Sequence, residues 1–266
     1  MMRLPLTQVD AFADRPFTGN PAAVMPLEAW LDDDLLQAIA VENNLAETAF
    51  TVPLAVGDEA EYELRWFTPT TEAAMCGHAT LATGHALMGD RERLRFRTRR
   101  AGVLEVARAG EGYALSLPAW VPAPKPLPEV VAALGIDPAA VVETLWHEMD
   151  YGVVVLADEA AVRACDPDFR ALARFGDWLT IVTAPGDTTD IVSRAFVPGA
   201  GIDEDPVTGS AHAVIVPYWA ERLGRTSLTA FQASTRGGHM TCRLEGDRVV
   251  LGGRCVTVIE GAMLLR

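Results

Sequence analysis

Two short segments of this chain could hold negative charge. The first is Cys76-Gly77-His78-Ala79; the second is Thr208-Gly209-Ser210-Ala211. Both read as helix starts opened by glycine. A helix start exposes unpaired N–H groups and the positive end of the macrodipole. Glycine lets a ligand approach that backbone closely. One such start is an ordinary helix beginning. Two in equivalent places of a repeated sequence point to anion binding, with a substrate carboxylate as the expected anion.

Three candidates accompany these starts. Glu47 lies in N-N-L-A-E-T-A-F, flanked by Leu45, Ala46, Ala49 and Phe50. Apolar surroundings desolvate a carboxylate and favour its protonated form, which suits proton transfer. Taken alone, the segment reads more simply as a surface glutamate at a helix-to-strand turn. Asp205, in D-E-D-P-V-T-G-S, precedes Gly209. It either reaches a ligand at that helix start or serves as a loop acid in a turn closed by Pro206. Cys76 directly precedes Gly77, where a helix start can acidify a thiol; a small buried cysteine is the equal alternative.

Other arrangements fail on geometry. His78 and His85 would stand roughly 10 Å apart along a helix, too far to share one metal. Ser210 and His212 fall on different helix faces, so they form no local nucleophile–base pair. G-A-G-I-D-E at 199–204 lacks the third glycine of a dinucleotide site. None of the four cysteines, Cys76, Cys165, Cys242 and Cys255, forms C-x-x-C, so no zinc or redox motif is expected.

The elements that must position these groups repeat. Arg65, Phe67 and Pro69 return as Arg194, Phe196 and Pro198 at one constant spacing, and Gly77 returns as Gly209. Thr98, Arg99 and Gly102 return as Thr235, Arg236 and Gly238, and Gly110 and Leu115 as Gly246 and Leu251. The spacing is near half the 266 residues. A duplicated domain is the simplest reading, and two related halves packed face to face make a cleft to which each contributes one catalytic group. Residues 118–128 hold five prolines in eleven positions, a density that excludes helix and inner strand. The expected division is therefore an N-terminal domain over 1–117, a linker over 118–128 and a C-terminal domain over 129–255, with 256–266 returning to the first.

Within each half the pattern predicts antiparallel or mixed strands around one central helix, from Gly77 to about Met88 and from about Gly209 to Leu223. Asp32 is the expected cap of an earlier helix. Arg91, Arg93, Arg95, Arg97 and Arg99 alternate along one strand face, which reads as a solvated, charge-protected strand. The alternation of elements is not βαβ, so a doubly wound sheet is disfavoured.

Composition narrows the partners. The net charge of −14 argues against nucleic acid and anionic membrane. The start M-M-R-L-P-L-T-Q-V-D-A-F is too polar for a secretory leader, and no long apolar run follows, so a cytoplasmic, reduced setting is expected.

Four motifs in order then carry a resemblance: V-D-A-F-x(4)-F-T-G-N-P-A-A-V (9–24), N-L-A-E-T-A-F (44–50), C-G-H-A-T-L-A (76–82) and D-P-V-T-G-S-A-H (205–212). Together they resemble the phenazine-biosynthesis PhzF-like proteins across nearly the whole chain. The resemblance implies an α+β fold of two pseudo-symmetric diaminopimelate-epimerase-like domains, each a mixed or antiparallel barrel-like sheet around a central helix. It implies a biosynthetic isomerase working without cofactor or metal, by proton abstraction and return on a small carboxylate-bearing substrate. The catalytic roles fall on Glu47, His78 and Asp205. Substrate binding falls on Asn20, Cys76, Gly77, Ala79, Gly209 and Ser210. A homodimer is the expected assembly. Related epimerases use two thiols, one per domain. Here the counterpart of Cys76 is Thr208, which disfavours a two-thiol racemase. A non-catalytic binding protein of the same fold is the other alternative.

Overall fold

The computed structural model describes residues 2–265. The chain forms two compact units, one running through Ser116 and resuming at Gly252, the other Leu117–Leu251. The first contains β1 (Met2–Ala11), β2 (Asn20–Pro26), α1 (Asp33–Asn43), β3 (Glu47–Pro53), β4 (Tyr62–Phe67), β5 (Glu72–Ala73), α2 (Gly77–Leu87), β6 (Arg93–Thr98), β7 (Val103–Ala109) and β8 (Gly112–Pro118). The chain continues through β9 (Ala123–Pro124), α3 (Pro128–Ala133), β10 (Val141–His147), β11 (Tyr151–Leu156), α4 (Glu159–Ala164), α5 (Phe169–Leu172), β12 (Leu179–Pro185) and β13 (Ile191–Val197). It ends with β14 (Ile202–Asp205), α6 (Gly209–Leu223), β15 (Ser227–Gln232), β16 (Gly238–Glu245), β17 (Arg248–Gly253) and β18 (Cys255–Leu265), which pairs antiparallel with β1. Among the described residues no helix is long and apolar enough to cross a membrane.

The strand pairings repeat pair by pair. β1–β2 and β10–β11 are antiparallel, and β2–β3 and β11–β12 are parallel. β3–β4 and β12–β13 are antiparallel, as are β4–β5 and β13–β14. β4–β6 and β13–β15 are parallel, and β6–β7 and β15–β16 close antiparallel. Each unit is therefore a mixed sheet of the same topology, with one long helix, α2 or α6, after the same strand pair.

The repeated Arg-x-Phe is a clamp. Arg65 bonds both oxygens of Glu72 at 2.8 and 2.9 Å, and its guanidinium lies 5.0 Å from the Phe67 ring. Arg194 bonds Glu204 at 2.8 and 3.0 Å and lies 5.0 Å from Phe196. A planar guanidinium matches a carboxylate in this two-point geometry. Each clamp ties a strand to the short strand that leads into the long helix. Arg65 also bonds Asp33 in the first turn of α1 at 2.8 Å, and Arg194 bonds the Cys165 carbonyl beyond α4 at 2.7 Å.

The long helices are buried by small residues. All of Gly77–Gly84 is buried. A Cβ on Gly84 would stand 2.4 Å from the Val106 side chain, so β7 packs directly on this helix. Thr80 and Thr83 return their hydroxyls to the carbonyls of Cys76 and Ala79, both at 2.6 Å, which satisfies polar atoms in a dry site. Leu36 and Ile39 of α1 join Met25, Phe50 and Phe67 in one core cluster. In the other unit Val130, Leu134, Val154, Leu156, Val182 and Phe196 form another.

Two expectations change. Asp32 sits at the N-cap of α1, but its side chain makes no capping bond. The proline-rich segment is not wholly irregular: Ala123 and Pro124 pair with Trp146 and Leu145, and α3 begins on Pro128. Proline tolerates that first helical position because its missing N–H would have no partner there. The segment also helps α6. Pro217 within α6 has no N–H to offer the Ala213 carbonyl, and Trp120 donates its N–H there instead at 3.0 Å. The arginine strand is the paired surface expected of it, with Arg95 on Glu61 and Arg97 on Glu63, each at 3.0 Å.

Candidate active site

In the first unit, parallel pairing sets Ala22 beside Glu47, so β2 and β3 begin side by side. Helix α2 packs against both strands. Four predicted residues meet there. Glu47 Oε2 lies 3.0 Å from His78 Nε2. On the opposite ring edge His78 Nδ1 lies 3.1 Å from Asn20 Nδ2 and 3.5 Å from Cys76 Sγ. Asn20, Cys76 and His78 are buried, and the Glu47 side chain is 12 % exposed. Glu47 is therefore not the surface residue its segment alone suggests. The Glu47–His78 distance is that of a hydrogen bond but its alignment is not, so both atoms keep capacity for a further partner.

The electrostatics follow from crowding. Burial opposes charge on His78, but Cys76 and Glu47 outweigh it and raise its pKa well above 6.5. Burial, then Glu47, pushes the Cys76 thiol up to about 11. Glu47, on the Nε2 edge, is the carboxylate that favours the charged form of the imidazole. Of the two readings of Cys76, burial favours the inert thiol: desolvation exceeds the helix-start effect.

Glu47, Cys76 and His78 also offer metal-ligand atoms within 4.8 Å of one another. Glu47 faces Nε2 while Cys76 faces Nδ1.

In the second unit Asp205 ends β14 and α6 starts four residues later at Gly209. Thr208 donates its hydroxyl to Asp205 Oδ2 at 2.5 Å. Gln232 of β15, fully buried, accepts from the Thr208 N–H at 2.8 Å and donates to the Asp205 carbonyl at 2.6 Å. Ser210 bonds the Tyr151 hydroxyl, whose pKa burial raises despite that bond. His212 Nδ1 meets the Thr208 carbonyl at 2.8 Å, and burial pushes its pKa down to about 4, leaving the ring neutral.

The predicted residues therefore form two groups. Asn20, Glu47, Cys76 and His78 gather at the first turn of α2, which contains Gly77 and Ala79. Asp205, Gly209 and Ser210 gather at the start of α6. Sequence reasoning missed Gln232 and Tyr151, which reach α6 only through strand pairing. A lone glutamine ending the alternating strand S-L-T-A-F-Q was the available signal for the first.

Two like mixed-sheet units, each with one long helix, define a fold shared with epimerases. A hydroxyproline epimerase from Agrobacterium vitis superposes with a TM-score of 0.62 at 12% identity, over 98% of this chain and 93% of that one. The phenazine biosynthesis-like (PhzC-PhzF) model matches residues 9–261. The chain belongs to that family. A Pseudomonas aeruginosa protein described as an uncharacterized isomerase is 49% identical over 99% of this chain and all of its own length. A PhzF-family crystal structure from Enterococcus faecalis superposes with a TM-score of 0.91 at 45% identity, covering 99% of this chain and all of that one.

Proposed function

We propose that the protein is a cofactor-independent isomerase that removes a proton from one carbon of a small carboxylate-bearing metabolite and returns it at another. The observation that carries this reading is the 3.0 Å approach of Glu47 to the buried His78 at a glycine-led helix start. The relative described as an isomerase agrees with it.

In the proposed reaction Glu47 takes the proton. His78 orients the carboxylate and, from its buried position, offsets the charge that moves during transfer. N–H groups in the first turn at Gly77 and His78 stabilise negative charge developing on the substrate. Asp205 serves the same reaction as a second acid/base, with Gly209 and Ser210 binding substrate. A racemase using Cys76 is less favoured, because the thiol stays protonated up to about pH 11 and its counterpart is Thr208.

The test is incubation with a cellular metabolite extract in D₂O, followed by mass spectrometry. One or more carboxylates should gain one mass unit with the wild-type protein and not with Glu47→Gln. Equal deuterium uptake with the variant would contradict the assignment of Glu47.

A further inference from the structure

We infer that Gln232 is a positioning residue for Asp205: its amide fixes the direction of a hydrogen-bond chain that ends on the Asp205 carboxylate. The inference rests on the proposed role of Asp205 in proton transfer.

The direction follows from counting protons. The Thr208 N–H can only donate, so the Gln232 amide must turn its oxygen toward it, as the 2.8 Å bond records. The amide NH₂ then faces the Asp205 carbonyl at 2.6 Å and Thr208 Oγ1 at 3.1 Å. A threonine hydroxyl has one proton. Because Oγ1 already receives an N–H, that proton goes to Asp205 Oδ2 at 2.5 Å. A bond of this kind is short and strong when the acceptor is ionised. Gln232 thus holds one Asp205 carboxylate oxygen in place.

The duplication supplies an internal control. Trp66 pairs with Ala73 where Ala195 pairs with Asp205, so Ala73 is the counterpart of Asp205. Leu64 pairs with Thr98 where Ser193 pairs with Gln232, so strand register makes Gln232 the counterpart of Thr98, in place of the Thr235 that sequence spacing suggests. Thr98 is used in a turn, bonding the Gly102 carbonyl and the Ala101 N–H, each at 2.8 Å. A device needed only to start the long helix would recur in the first unit. Asp205, Thr208 and Gln232 all differ from their counterparts, Ala73, Cys76 and Thr98, and all three bond to one another. Burying a glutamine is costly unless each polar atom is paired; here the pairing serves the carboxylate.

The test is NMR on the isotope-labelled full-length protein, which needs no ligand. The wild type should show a slowly exchanging Thr208 hydroxyl proton close to the Gln232 side-chain amide. Gln232→Glu keeps the acceptor for the Thr208 N–H and removes both donors. The hydroxyl signal should be lost or move, and the Asp205 carboxyl carbon should shift. Turnover of a carboxylate found by the deuterium screen should fall by about 10²-fold with KM little changed, as for a misplaced catalytic group. Should that variant fail to fold, Thr208→Val removes the hydroxyl while sparing the glutamine, and the same Asp205 shift is expected. A wild-type protein without the protected hydroxyl, or an Asp205 carbon unmoved in a folded variant, overturns the inference. Wild-type turnover by Asp205→Asn would instead overturn the role of Asp205 and leave the hydrogen-bond chain standing.

Discussion

The two units share every compared strand pairing, the Arg-x-Phe clamp and a glycine-led helix, yet their chemistry differs. The register gives the counterparts. Thr48 pairs with Phe67 where Thr180 pairs with Phe196, so the counterpart of Glu47 is Leu179. The counterpart of Asp205 is Ala73. Each unit has one of the two carboxylates and lacks the other. What repeats is the frame, and what fails to repeat, beside the helix starts, is the proposed chemistry. The same division separates the histidines. Glu47 beside His78 favours the charged imidazole, while His212 is buried against Ser193 and the Thr208 carbonyl, where burial favours the neutral ring.

The largest expected effect breaks this asymmetry in the first unit. Glu47→Gln keeps the shape and removes the base, so turnover should fall on the order of 10²–10⁴-fold. Leu179→Met, at the counterpart position, should leave turnover within a few-fold. Steady-state rates on a carboxylate from the deuterium screen check both.

Next come the two histidines, which should respond to pH in opposite senses. His212 has a lowered pKa, about 4 against 6.5 unfolded. Its stability contribution is full above pH 6.5 and falls as acid protonates the unfolded chain first. The loss by pH 4 is roughly 3 kcal/mol. His78 has a raised pKa, so its contribution is full below pH 6.5 and fades as pH rises through the folded value. Denaturant titrations across pH should show both limbs. His212→Asn should flatten the acid one and His78→Gln the alkaline one.

The smallest effect concerns the thiol. Cys76→Ser should keep turnover within about tenfold, or ~1.4 kcal/mol, because the thiol is protonated and Glu47 carries the proton. A much larger loss in a folded variant would move the chemistry to sulfur.

Much of the frame was legible in sequence because it repeats locally. R-x-F before a glycine-led helix announces itself twice, and both long helices begin at the predicted glycines. The role of the repeated arginine was not legible, since its partners Glu72 and Glu204 become neighbours only when short strands fold back. Glu47 read as a surface residue in its own segment, because its burial comes from β2 and α2. Gln232 was missed for the same reason: the parallel pairing of β13 with β15 brings it to the start of α6. The two readings of Cys76 stayed even in sequence because proximity to a helix start was visible there and full desolvation was not.

The most direct test of the account is a crystal structure of Glu47→Gln holding the carboxylate that exchanges deuterium in the wild type. The account predicts the substituted side chain roughly 3–3.5 Å from the exchanging carbon, the reach of a reactive arrangement, with His78 behind it. An exchanging carbon set against Cys76 or Asp205 and out of reach of position 47 would contradict it.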